Sequence, residues 1–231
     1  MPFSRTPCLS DPPSHSELIA AMISVGMNFA GQASTNALIE ETLVHASRSG
    51  MEDDDLRVLA VLTSWMAQHH AHVNVDRLVR SISADPSPRV RAYWAAVAEW
   101  LQKDRRFSRV AKLYTGSVID LLAVGTDFQL SRRGEDPRFS GSVLRVPQGT
   151  LRDREADVVP PAEMVKRHAG YRNRVRFGPG WRADVWTVLE QNSGLSVAEV
   201  ARRVGCAFAT AWEVAQDYEL LRAADTEASS S

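Results

Sequence analysis

From residue 16 to about residue 114, apolar side chains recur three and four positions apart, and each run stops at a glycine, a proline or a knot of small polar residues. That period belongs to helices that bury one stripe. "SELIAAMISVGMNFAG" opens on a Ser cap and closes at glycine; "STNALIEETLVHASRSG" offers Ser34 or Thr35 as cap and Gly50 as the left-handed residue past the helix end. "EDDDLRVLAVLTSWMAQHH" begins with acids, which favour a helix N-terminus, and carries two apolar stripes: Val58, Val61, Leu62, Trp65 and Leu56, Leu59, Ala60. A helix apolar on most sides is the central, buried one. "VNVDRLVRSI" repeats the spacing with Val75, Leu78, Val79 and Ile82. After the break "DPSP", "PRVRAYWAAVAEWLQKD" starts with Pro88 in its first turn and shows Val90, Trp94, Val97 and Leu101, widened by Tyr93 and Trp100. Short loops between such runs predict a compact bundle of five or six helices over residues 16–115. Residues 1–15, with four prolines, are expected to form a disordered arm.

The pattern changes after residue 116. "SVIDLLAVGTDFQL" and "SVLRVPQG" are short runs bounded by Gly and Pro, compatible with strands, and "SRRGEDPRFSG" between them is turn-rich. "VVPPAEMVKRHAGY" offers a Pro-led helix over residues 161–168, and "RNRVRFGPGW" is basic before Gly-Pro-Gly breaks it. The fold class is therefore mainly α: an N-terminal helical bundle, a small mixed α/β or irregular basic middle over 116–180, and a C-terminal trihelical helix-turn-helix over 181–224, with a fraying tail at 225–231.

Charge is distributed unevenly along this order. The whole chain carries a net charge of −1, but residues 131–182 hold twelve Lys and Arg against six Asp and Glu, whereas residues 183–231 hold three against eight. The basic middle can attract phosphate or an acidic partner. Only Lys103, Lys112 and Lys166 among the 27 basic residues are lysine, a bias that fits GC-rich bacterial coding. Two cysteines, Cys8 and Cys206, with no CxxC pair, argue against a zinc site or disulfide framework and suit a reducing cytoplasm. The apolar run over 18–30 is too short to span a bilayer and lacks a basic flank, so it is expected to be a core helix, with no membrane partner.

The last segment, "GLSVAEVARRVGCAFATAWEVAQDYELL", concentrates the recognisable features. Ser196 followed by Glu199 forms the S-x-x-E capping box. Val197, Val200, Ala201 and Val204 repeat at i, i+3, i+4, i+7, and Gly205 supplies the positive φ of a tight turn. Ala211, Val214, Tyr218 and Leu221 are expected to point inward from the next helix, facing Val185, Val188 and Leu189 of the preceding one. Small Ala201 and Ala211 permit a close helix crossing. Over about 40 residues this arrangement resembles the helix-turn-helix of bacterial regulators, with a winged-helix variant also compatible.

The resemblance implies double-stranded DNA as partner and entry of the helix after Gly205 into the major groove. Thr210, Glu213 and Gln216 would then be the base-reading candidates: Thr210 toward either pair, Gln216 toward adenine, Glu213 toward a cytosine amino group. None neutralises phosphate, so the grip must come from Arg202 and Arg203 and, upstream, Arg172, Arg174, Arg176 and Arg182. The alternative is a protein-interaction module, an acidic trihelical unit packing on the basic middle or on a partner. Phe208 and Trp212, on a stripe beside the inward face, would be its partner or homodimer surface.

Other clusters carry less. His69, His70 and His72 in "HHAHVNVD" lack the i, i+4 spacing of helical metal ligands and are expected to be structural; no metal and no cofactor is implied. The acids of "MEDDD" diverge along a helix and suit a cap. Asp127, Arg132, Arg133, Glu135, Asp136 and Arg138 over residues 127–138 could host an enzyme site, but no nucleophile–base pair or phosphate loop accompanies them, and a surface ion network is the simpler expectation. The layout of "DLLAVGTDFQLSRRGEDPRF" ahead of a helix-turn-helix also resembles small proteins encoded beside nucleotidyltransferase toxins of the AbiE type, although those place the winged helix at the N-terminus. That resemblance implies a cytoplasmic antitoxin that binds its toxin and represses its own operon.

Overall fold

The computed structural model describes residues 9–35, 37–192 and 194–228. The chain is mainly α, with twelve α-helices and one two-stranded parallel sheet among these residues. Residues 1–8 of the expected arm and 229–231 of the expected tail lie outside them. The rest of both segments departs from expectation: Leu9 packs on the core, the Ser10 N–H donates to Glu41 at 2.7 Å, and the last helix runs on to Ala228.

α1 (His15–Ser24) begins two residues earlier than a cap at Ser16 would place it, because Ser14 and Glu17 close a reciprocal capping box. α2 (Ile39–Glu52) starts after Leu38 without a side-chain cap and continues through Gly50. Gly50 is thus not an end signal. A Cβ there would lie 2.7 Å from the Leu59 Cβ, so glycine lets α2 approach α3 closely. α3 (Leu56–His69) is capped by Asp55, which accepts from the Val58 N–H, and it buries both of its apolar stripes apart from Leu56. α4 (Val75–Ala84) takes its cap from Asn74, and α5 (Pro88–Trp100) from Ser87 with Pro88 in the first turn. α6 (Ser108–Ala111) completes the bundle.

The middle is a layer on this bundle. β1 (Ile119–Asp120) pairs in parallel with β2 (Leu144–Arg145), Ile119 opposite Leu144. Between them "TDFQLSRR", expected in part as strand, forms α7 (Thr126–Arg133), bracketed by Gly125 and Gly134 at positive φ. The charge order of α7 suits a helix, with Asp127 in the first turn and Arg132 and Arg133 in the last. α8 (Pro161–Arg167) and α9 (Ala169–Phe177) follow, and Gly178 at φ +83° ends α9. Leu121, Phe139, Leu144, Val146, Leu151, Val158, Val159, Met164 and Tyr171 all join the cluster of α1–α6. Residues 116–180 therefore share a core with the bundle.

A second apolar cluster belongs to α10 (Trp181–Gln191), α11 (Val197–Val204) and α12 (Phe208–Ala228). No helix among the described residues is long and apolar enough to cross a membrane.

The α2–α3 contact yields a test. Gly50→Ala must displace a buried leucine, a cost of about 1–3 kcal/mol for overpacking. The urea midpoint should fall with the m-value unchanged, and Tm should drop roughly 2–4 °C per kcal/mol for a chain of this size.

Candidate nucleic-acid interface

The C-terminal unit is built by local signals. Ser196 Oγ accepts from the Glu199 N–H at 3.3 Å, starting α11. The Glu199 carboxylate does not return to the Ser196 backbone; it pairs with Arg202 and with Arg203 Nε at 3.1 Å. Gly205 ends α11 at φ +76°, and the N–H groups of Gly205 and Cys206 both donate to the Ala201 carbonyl. Buried Val200, Ala201 and Val204 meet buried Ala211, Val214 and Ala215 from α12 and Val185, Trp186 and Leu189 from α10. Phe177, Trp186 and Tyr218 stack in series, with ring centroids 4.7 and 5.1 Å apart. Leu221, expected to face inward, is instead 53% exposed, whereas Ala211 and Val214 are buried and Tyr218 packs against the cluster.

On the open face of α12, Glu213 and Gln216 are exposed and Thr210 is half-buried. Phe208 and Trp212 are exposed beside them, at 55% and 50%, and Leu220 lies further along. Each proposed backbone arginine has a carboxylate next to it. Arg202 and Arg203 share Glu199. Arg172 and Arg176 share Glu190 at 3.8 and 4.0 Å. Arg182 pairs one-to-one with Asp217 at 2.8 Å. The first two groups thus keep one surplus positive charge each; the third is neutral.

Arg174 is the correction. It is 4% exposed and cannot reach a phosphate. Its guanidinium makes a fork on Glu40 at 2.6 and 2.8 Å and bonds Asp184 at 2.9 and 3.1 Å. Asp184 also accepts from Asn74 Nδ2 at 2.9 Å and pairs with Arg77 at 3.3 Å, while Glu40 accepts from the Asn74 N–H. Two cations and two anions therefore close a neutral, buried hub linking α2, α4, α9 and α10. Burial alone would lower the Arg174 pKa, but Asp184 and Glu40 raise it. Burial likewise would raise Asp184, but Arg174 and Arg77 hold it below the usual carboxylate range.

His69 is buried where α3 meets the middle layer. Its Nε2 lies 3.0 Å from the Val159 carbonyl and its Nδ1 2.8 Å from the Tyr171 hydroxyl. A carbonyl only accepts, so Nε2 carries the proton and Nδ1 accepts from Tyr171. Stacked on Trp65 at 4.7 Å, the ring is a structural connector, and desolvation pushes its pKa down to about 4. No group of His, Cys, Asp and Glu among the described residues could hold a metal ion. In residues 127–138, Asp136 makes a fork on Arg138 at 2.9 and 2.6 Å, and exposed Asp127 meets Arg145 at 2.8 Å, which also binds Asp120. This is an ion network with no nucleophile beside a base.

Sequence reasoning missed Glu40, Asn74, Arg77 and Asp184. No local signal marks a pairing across more than 100 residues, although Asp184 in the first turn of α10 hinted at an acid with a role. No protein-family model, curated protein or solved structure matches the chain.

Two outcomes follow. Arg174→Leu leaves buried Glu40 without a cation while Asp184 keeps Arg77, and breaking a buried pair costs about 3–5 kcal/mol; urea unfolding should register it as a large midpoint shift. His69 contributes to pH dependence with a definite sign. Its folded pKa lies below the unfolded value, so its contribution is complete above pH 6.5 and is lost as pH falls toward 4. Wild-type stability should fall more steeply through that window than that of His69→Gln, measured by urea unfolding at each pH.

Proposed function

We propose that this chain is a cytoplasmic DNA-binding protein, a transcriptional regulator that presents α12 to the major groove. The observation that carries the reading is the α11–Gly205–α12 arrangement: a capped helix, a left-handed glycine and a separate apolar core, with the outer face of α12 open to solvent. Gln216, Glu213 and Thr210 line that face as base-edge groups. Arg202 and Arg203 on α11 and Arg172 and Arg176 on α9 supply phosphate contacts. Their exposed pairs with Glu199 and Glu190 are weak, about 0–1 kcal/mol each, so phosphate can replace carboxylate at small cost. An antitoxin that represses its own operon fits the same geometry, with the helical bundle left for a toxin partner.

Exposed Phe208 and Trp212 favour a second reading, in which the same helix docks a protein or a second copy. Salt dependence separates the two. DNA from upstream of the gene should be retained by the full chain with a steep slope of log K against log salt. Arg202→Ala with Arg203→Ala should reduce that slope by about 2, and Trp212→Ala should leave it unchanged. No retention at low salt, together with a co-purifying protein that Trp212→Ala releases, would overturn the DNA reading in favour of docking.

A further inference from the structure

The two apolar clusters are separate. α9 bridges them, with Tyr171 in one and Phe177 beside the other, and polar and cation–aromatic contacts add to the seam. Much of that polar contact comes from one face of α4. Arg77 donates through Nη2 to the Val204 carbonyl at 2.7 Å, and Arg80 donates to the Gly205 carbonyl. Both guanidiniums also lie over the Trp181 ring, 5.4 and 4.6 Å from its centroid. Arg77 and Arg80 are one turn apart, so a single helix face holds both the start of α10 and the turn after α11. Val204 and Gly205 are the C-terminal end of α11, where carbonyls lack helical partners and the backbone dipole is negative. Two cations from the bundle satisfy them at the point where the chain turns into α12.

We propose that Arg77 and Arg80 are positioning residues for α12: they pin the α11–α12 turn to the bundle, so that α4 sets the frame in which the open face of α12 is presented. The control of DNA reading through α4 rests on the function proposed above; the attachment itself does not. Whatever moves α4 moves the turn, which gives the bundle a mechanical route to the helix-turn-helix. Arg77 also belongs to the buried hub, so the partly exposed Arg80 is the cleaner position to change.

The experiment compares wild type, Arg80→Ala and Arg80→Lys as full chains, by amide hydrogen exchange and by binding to upstream DNA over a salt series. Losing a hydrogen bond from a charged donor should speed exchange at Gly205 and Cys206 by roughly tenfold in Arg80→Ala. Lysine, which can donate to the same carbonyl and sit over the same ring, should restore most of the protection, and amides of α2, α3 and α5 should not change. DNA affinity should fall about tenfold in Arg80→Ala with the salt slope unchanged, whereas loss of a phosphate contact would lower the slope by about 1. Unchanged exchange at the turn, a rise spread over the whole chain, or a reduced salt slope would each overturn the proposal. Faster exchange confined to the turn in a chain that retains no DNA would support the pinning and sink the DNA reading instead.

Discussion

The fork of Arg174 on Glu40, closed by Asp184, is the contact on which the arrangement of the whole chain depends. Four elements, two from the N-terminal bundle and two from the last third of the chain, meet there, and none could keep its charge in that place alone. An isolated ion in such surroundings carries a penalty of several kcal/mol, which only close, well-aligned opposite charges offset. Glu40 and Arg174 are separated by 134 residues and Arg174 and Asp184 by ten, so the hub forms only once the first bundle helices and the last domain are both in place. An apolar contact would tolerate sliding; a bidentate fork with an amide and a second guanidinium in attendance fixes distance and angle together. The register of α10 on α9, and of both on the bundle, follows from it.

His69 plays the corresponding part at the start of α9. A neutral imidazole with one donor and one acceptor links the Val159 backbone to the Tyr171 hydroxyl. Tyr171 is fully buried and Arg174 lies one turn further along α9. The same short helix is thus held by a neutral polar bridge at its start and an ionic one in its middle, while Phe177 at its end reaches the second cluster. α9 is the joint of the molecule. Its sequence, "AGYRNRVRF", looks like a basic surface strip because two of its three arginines are one.

This explains which parts of the chain were legible in sequence. Ser196, Gly205 and the stripe Val200, Ala201, Val204 act within one or two turns, and their neighbours are their partners; the turn follows from them directly. The doubly apolar α3 is legible for the same reason, since a helix without a polar face has one place to go. Gly50 was misleading because a glycine near the end of a run can relieve backbone strain or make room for another helix, and only Leu59 across the gap distinguishes the two. The cap of α1 falls at Ser14, inside the segment expected as a disordered arm, because Glu17 three residues on reaches back to its N–H. Arg174 was indistinguishable from Arg172 and Arg176 because the difference lies in Glu40 and Asp184, which sequence does not place beside it.

The ionic arrangement also sorts the remaining arginines by what they can do. A cation in a buried, fully bonded fork has no capacity for another anion; taking it away would leave carboxylates stranded. A cation in an exposed one-to-one pair, like Arg182 with Asp217, can exchange partners but brings no net attraction, because the displaced carboxylate stays nearby. Two cations sharing one exposed carboxylate retain a surplus, and the field they project is positive at short range even in an acidic segment. Among the described residues, Arg202 with Arg203 on α11 and Arg172 with Arg176 on α9 meet that condition. α11 packs directly on α12, which bears Glu213, Gln216 and Trp212, and α9 packs on α10. Exposed Phe208 and Trp212 add an apolar component beside these charges, so the unit presents surplus cations and aromatic surface together rather than cations alone.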